Sequence, residues 1–106
     1  PQARPQGMKL SVSQAATDDL ESIWLYTVEH WSVEQADRYA DLILDAFDRI
    51  LLEPGAGKDF GRARKGYLGL KVGSHLVFYR MNEVDQTIEI IRVLHGRMDL
   101  EERLNR

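Results

Sequence analysis

Two short runs and one loop carry the side chains with the most chemistry to offer. Ile91-Arg92-Val93-Leu94-His95-Gly96-Arg97-Met98-Asp99 is an apolar stretch that runs straight into an imidazole, a guanidinium and a carboxylate. Gly73-Ser74-His75-Leu76-Val77-Phe78-Tyr79-Arg80 closes on a phenol and a second guanidinium, and Arg62-Ala63-Arg64-Lys65 adds a basic cluster. Arg64, Tyr79, Arg80 and His95 offer a phenol, an imidazole and two guanidinium groups, which can move protons or stabilise negative charge without a metal. His95, Arg97 and Asp99, with the Arg62, Arg64 and Lys65 loop, would serve equally as a contact surface for a macromolecular target. Each group also has a plain structural account. The basic cluster reads as a solvated loop, Tyr79 as a packed ring with a wet hydroxyl, and His95 as a rim histidine bonded to backbone. His75 and Tyr79 share a strand face by period-two alternation, which a structural hydrogen bond would explain.

Composition narrows the classes. The chain has no cysteine, which removes disulfide and thiolate chemistry and suits a reducing cytoplasm. His30, His75 and His95 are scattered and show no paired ligand spacing, so neither a metal site nor a cofactor is expected. A formal net charge of −3 argues against a chain whose main task is gripping a polyanion, so direct specific nucleic-acid binding is not expected. No apolar stretch is long enough to span a bilayer, and no apolar segment of the signal-peptide kind follows Met8. Residues 1–7, Pro-Gln-Ala-Arg-Pro-Gln-Gly, read as a tag-like or disordered leader, and residues 8–106 as one compact domain.

The elements that must position these groups follow from hydrophobic period. Lys9-Leu10-Ser11-Val12 alternates as a short strand. Ser13 can cap a helix in which Ala16, Leu20, Ile23, Trp24, Thr27 and Trp31 form one stripe, with Asp18, Asp19 and Glu21 suiting its N-terminal half and an end near His30. On that stripe Trp24 and Trp31 are expected to fill the core between helix and sheet. Ser32-Val33-Glu34-Gln35 has the form of a capping box and opens a second helix with the stripe Ala36, Tyr39, Ala40, Ile43, Phe47, Ile50 and Leu51. Glu53-Pro54-Gly55 stops it. Residues 56–66 read as a loop. Residues 67–72, 75–80 and 87–94 read as three strands, with Gly73-Ser74 as a two-residue turn and the last strand central because it is apolar on both faces. A final helix is expected over residues 99–104, capped by Asp99. The order is β-α-α-β-β-β-α, an α+β fold in which an antiparallel sheet packs against a helical hairpin.

The order of elements, together with Asp19-Leu20, Ile23-Trp24 and Tyr26 in the first helix and the ending Arg92, Leu94, His95, Met98 and Asp99, resembles the ParE toxins of bacterial toxin–antitoxin pairs, within the ParE/RelE superfamily. The resemblance covers nearly all of the chain from Met8 onward. It implies a bacterial, cytoplasmic toxin that poisons DNA gyrase by binding it and has no turnover chemistry of its own. It also implies a hetero-oligomer with a ParD-like antitoxin, whose ribbon-helix-helix part binds DNA and whose flexible tail folds onto the toxin. Leu25, Val28, Leu42 and Leu44 lie off the core stripes and are the candidate antitoxin surface, unless helix ends and the loop cover them. An edge strand is a further place for a partner segment. RelE-like members of the superfamily cut messenger RNA on the ribosome, so that resemblance implies the alternative of an endoribonuclease using Arg64, Tyr79, Arg80 and His95. A non-toxic adaptor that retains only antitoxin binding is the third reading.

Overall fold

A computed structural model describes residues 8–96 and Leu104. The leader, Arg97, Asp99 and most of the expected last helix lie outside the described residues; Leu104 alone represents that helix, in helical conformation and buried. Strand β1 (Lys9–Val12) leads into helices α1 (Gln14–His30) and α2 (Val33–Leu52). A 3-10 turn (Pro54–Ala56) and the two-residue strand β2 (Lys58–Asp59) follow, then β3 (Leu68–Val72), β4 (His75–Asn82) and β5 (Thr87–His95). Among the described residues no helix is long and apolar enough to cross a membrane.

Both helices start where their caps predict. The Ser13 hydroxyl accepts from the Ala16 N–H and the Ser32 hydroxyl from the Gln35 N–H, each at 3.0 Å, which satisfies backbone donors that a helix start leaves open. Ile43, Ala46, Phe47 and Ile50 of α2 are buried in one cluster with Val77, Tyr79, Ile88, Ile90 and Val93 of the sheet, and Ala36 nearer the start of the helix is buried as well. Full burial of each large aliphatic side chain contributes about 1.5–3 kcal/mol. The expected stripe on α1 ends early. Trp31 falls just past the last helical residue and is 71% exposed, because its backbone turns away as the C-cap. Trp24 likewise does not fill the layer between helix and sheet; its indole N–H donates to Asp37 Oδ1 at 2.9 Å and ties α1 to α2.

The sheet order is β1-β5-β4-β3-β2, so β5 is central, as its two apolar faces require. The sheet is mixed and not wholly antiparallel. β3, β4 and β5 form an antiparallel meander, but β1 pairs with β5 in parallel, from Lys9 opposite Thr87 to Val12 opposite Ile90. A parallel neighbour needs a long crossover, and the helical hairpin with the first strands of the meander supplies it. The stretch read as a loop also yields β2, which pairs with β3 at one edge of the sheet. Gly73 has φ of +57° at the first central position of the β3–β4 turn, where an added Cβ would lie 2.8 Å from the Tyr39 ring. Glycine is therefore required there on two counts.

Alternation along β4 sends Val77 and Tyr79 into the helix-facing core and Phe78 into a second cluster with Tyr67, Leu94 and Leu104. Phe60 packs edge-on against Phe78 with ring centroids 5.1 Å apart. Leu104 thus places part of the C-terminal segment on the sheet face away from the helices.

Candidate functional site

Where β1 ends at Val12, the β5 edge beyond it would carry open backbone groups. Side chains from the start of α1 take them up. The Ser13 hydroxyl donates to the Ile91 carbonyl at 2.7 Å, and Asp19 Oδ2 accepts from the Val93 N–H at 2.9 Å. The same carboxylate receives Arg92 in a two-pronged pair, Nε to Oδ2 at 2.8 Å and Nη2 to Oδ1 at 2.9 Å. The side chains are only 21% and 14% exposed, so water screens this pair weakly. Asp19, read from sequence as serving the charge of its own helix, instead fastens α1 to β5 just before His95.

This fastening sets one wall of an open groove of about 710 Å³. Ser22, Ile23, Tyr26 and Thr27 of α1, Trp31 of the turn and Gln35 of α2 form one side, and Tyr39, Ser74, His75 and His95 line the rest. Tyr26 is 59% exposed and stacks on His30 with ring centroids 3.8 Å apart. None of the lining residues is Lys, Arg, Asp or Glu. His75 and His95 face each other across the β4–β5 ladder, with ring centroids 5.3 Å apart and planes at 78°.

Tyr39 reaches the groove from α2. Its hydroxyl oxygen lies 3.1 Å from the Val72 carbonyl, 3.1 Å from the Ser74 nitrogen and 2.6 Å from His75 Nδ1. One proton satisfies all three contacts in one arrangement: the hydroxyl donates to Val72 and accepts from the Ser74 N–H and from a protonated Nδ1. Burial raises the Tyr39 pKa, opposed by the Ser74 hydrogen bond, so the phenol keeps its proton. Burial lowers the His75 pKa, helped by the neighbouring His95 and opposed by Asp19.

That shift predicts a pH dependence with a definite sign. In the unfolded chain His75 takes up a proton near its ordinary value of 6.5, whereas the folded protein resists it to lower pH. Between those two points the unfolded state binds more protons, so stability falls as pH falls below about 6.5 and levels off once the folded ring also titrates. Urea unfolding of the wild type and of His75→Gln across pH 7.5 to 5 should show the wild type losing more stability on acidification. Parallel curves would sink the assignment.

The four side chains of the cleavage reading do not meet. Tyr79 sits inside β4 and not at its end, and it is fully buried with a hydroxyl that is not wet. That hydroxyl donates to the Pro54 carbonyl at 2.7 Å and accepts from the Gly57 N–H at 2.8 Å. Burial raises its pKa, with the Gly57 bond and Arg49 pulling the other way. Arg80 is ion-paired with Glu89, opposite it on β5. Arg64 lies with its guanidinium carbon 6.0 Å from the Tyr67 ring centre. His95 is opposite His75, four residues and roughly 13 Å of strand from Tyr79.

The other candidates fall in separate places. Arg62, Arg64 and Lys65 are exposed in the segment between β2 and β3. Leu25, Leu42 and Leu44 are 50%, 54% and 47% exposed and Val28 is half-buried. Leu42 and Leu44 flank buried Ile43 from opposite sides, since residues two apart on a helix point about 200° apart. They cannot share one face. In the sequence Tyr26 stands only in the family resemblance, and Trp31 and Tyr39 only on helical stripes, so nothing there joins the three into the groove that they build.

Comparison with known proteins places this fold and its signature. Residues 10–100 match the family described as the ParE toxin of the type II toxin–antitoxin system parDE. The chain is 41% identical to Toxin ParE1 of Mycobacterium tuberculosis over 93 residues, covering 88% of this chain and 94% of that protein. It is 42% identical to Toxin ParE1 of Caulobacter vibrioides over 88 residues, covering 83% and 88%. Among solved structures, a chain of the chromosomal ParDE toxin–antitoxin system from P. aeruginosa superposes with a TM-score of 0.74 at 18% identity, covering 86% of this chain and 98% of that one. A chain of the RelBE2 toxin–antitoxin complex of Mycobacterium tuberculosis shares the fold with a TM-score of 0.64 at 22% identity, covering 84% and 98%. The joined Asp19 and Arg92 both lie within the matched residues, and the chain belongs to the ParE toxin family of type II toxin–antitoxin systems.

Proposed function

We propose that this ParE-type toxin acts by binding DNA gyrase and halting it, and that a ParD-like ribbon-helix-helix antitoxin neutralises it. The observation that carries the reading is the state of the cleavage candidates. A phenol already bonded to Pro54 and Gly57 inside the core cannot exchange a proton with a substrate, and Arg80 is committed to Glu89. What remains accessible among the described residues is contact surface: the Arg62, Arg64 and Lys65 segment, the strand end at His95, and the aromatic groove. Family membership supports the toxin role, and the P. aeruginosa neighbour comes from a ParDE system.

The test is a gyrase assay with the purified full chain. Supercoiling should slow in a dose-dependent way, cleaved DNA–gyrase complexes should accumulate, and an added ParD-like antitoxin should reverse both. Charge reversal at Arg62, Arg64 and Lys65 should weaken inhibition with the fold intact by circular dichroism. Unaffected gyrase over a wide dose range, or ribosome-bound message cut over many turnovers, would remove the proposal.

A further inference from the structure

The three histidines look unpaired in the linear sequence, yet the β4–β5 register sets His75 and His95, twenty residues apart in number, directly opposite each other. Both line the groove and are half-buried, so an ion can reach them from solvent. We propose that His75 and His95 together form a binding site for a late first-row divalent ion, Zn²⁺ or Ni²⁺. This goes beyond the gyrase reading and does not depend on it.

Two observations meet at this pair. First, the spacing fits. With metal–nitrogen bonds of about 2.0–2.1 Å and a tetrahedral angle, two imidazole centres on one ion stand about 5 Å apart, against 5.3 Å here. Second, the Tyr39 oxygen holds His75 Nδ1 at 2.6 Å. Histidines that ligate metals commonly donate their other ring N–H to an oxygen, which fixes the tautomer and turns the bare nitrogen outward. With Nδ1–H given to Tyr39, Nε2 is the nitrogen left to His75 for an ion. His95 supplies the second imidazole from the facing strand, and a metal needs only one of the two nitrogens of such a ring.

Among the described residues no third histidine, cysteine or carboxylate joins the pair. The remaining coordination positions therefore open onto the groove and its water, and the affinity expected is micromolar. That is well below that of sites with three or four protein ligands.

The probe is Zn²⁺ alone, added to the full chain and followed by calorimetry and by the imidazole signals of the nuclear magnetic resonance spectrum. Expected is one ion per chain, with shifts confined to His75 and His95. His30 is the chain's other histidine, exposed and bonded through Nδ1 to the Tyr26 carbonyl, so His30→Ala should keep the affinity. His75→Asn and His95→Asn should each abolish saturable binding. Tyr39→Phe removes the oxygen that orients the ring and should weaken binding about 10–100-fold with both ligands still present. Unchanged affinity in Tyr39→Phe would overturn the orienting role. No saturation by millimolar Zn²⁺ in the wild type, or undiminished binding in the double histidine variant, would overturn the site itself. The wild-type titration needs no substitution, so a variant that fails to fold leaves the result decidable.

Discussion

Asp19→Ala should unfold in urea with about 3–5 kcal/mol less stability than the wild type, and Arg92→Ala with less of a loss. The asymmetry follows from what each side chain leaves behind. Removing the carboxylate strands a guanidinium that is 21% exposed and, at the same time, the Val93 N–H on an edge where β1 has already ended. Breaking a largely buried pair from one side costs about 3–5 kcal/mol because the other charge stays desolvated. Removing Arg92 leaves the carboxylate still held by the Val93 N–H, with part of its solvation recovered. The double variant should lose less than the sum of the two, by about 1–3 kcal/mol, since the second change removes a charge already stranded. Asp19→Asn keeps an acceptor for Val93 but weakens the grip on Arg92, and should fall between. A loss within 0.5 kcal/mol for Asp19→Ala would show that solvent replaces the carboxylate without cost.

The same pair shows why some of this molecule is legible in its sequence and some is not. Ser13 and Ser32 announce their helices because capping is local: the hydroxyl and the N–H it serves lie three residues apart. The stripe from Ala36 to Leu51 is legible for a similar reason, since one helix repeats its own geometry. Asp19 and Arg92 lie 73 residues apart, and nothing in the charge pattern near Asp19 says that its partner is on β5 and not at the start of its own helix. The parallel pairing of β1 is hidden in the same way, because strand direction depends on every reversal between residues 12 and 87. A two-residue strand such as β2 is too short to display a period at all. Trp31 misleads for the opposite reason. It continues the stripe by number, but the helix stops at His30, and one residue past the end the angular rule no longer applies.

The candidate site divides along the same line. His95 and the rim were visible because an apolar strand visibly ends in polar residues. The groove was not, since Tyr26, Trp31, Tyr39 and His75 come from α1, the turn after it, α2 and β4 and are joined only by the way α2 crosses the β3–β4 turn. Period alone makes Tyr39 a core residue. Its ring is half-buried as the period requires, but its hydroxyl settles the orientation of His75.

Tyr79→Phe and Gly57→Ala should then prove to be two versions of one lesion. The Tyr79 hydroxyl stitches β4 to the 3-10 turn after α2 through Pro54 and Gly57. Removing it orphans a backbone carbonyl and a backbone N–H in a part-buried place, a loss of about 1–3 kcal/mol. At Gly57 an added Cβ would sit 2.6 Å from that hydroxyl and 2.8 Å from the ring edge, so the turn or the ring must move. Overpacking of this kind costs about 1–3 kcal/mol, and the displaced hydroxyl adds the hydrogen-bond loss, which makes about 2–6 kcal/mol together. Because both changes break the same contact, Gly57→Ala on top of Tyr79→Phe should cost less than Gly57→Ala alone. The pair also separates a structural tyrosine from a catalytic one. Tyr79→Phe should lower stability in urea and leave gyrase inhibition by the folded fraction unchanged, whereas a catalytic phenol would lose its activity at full stability.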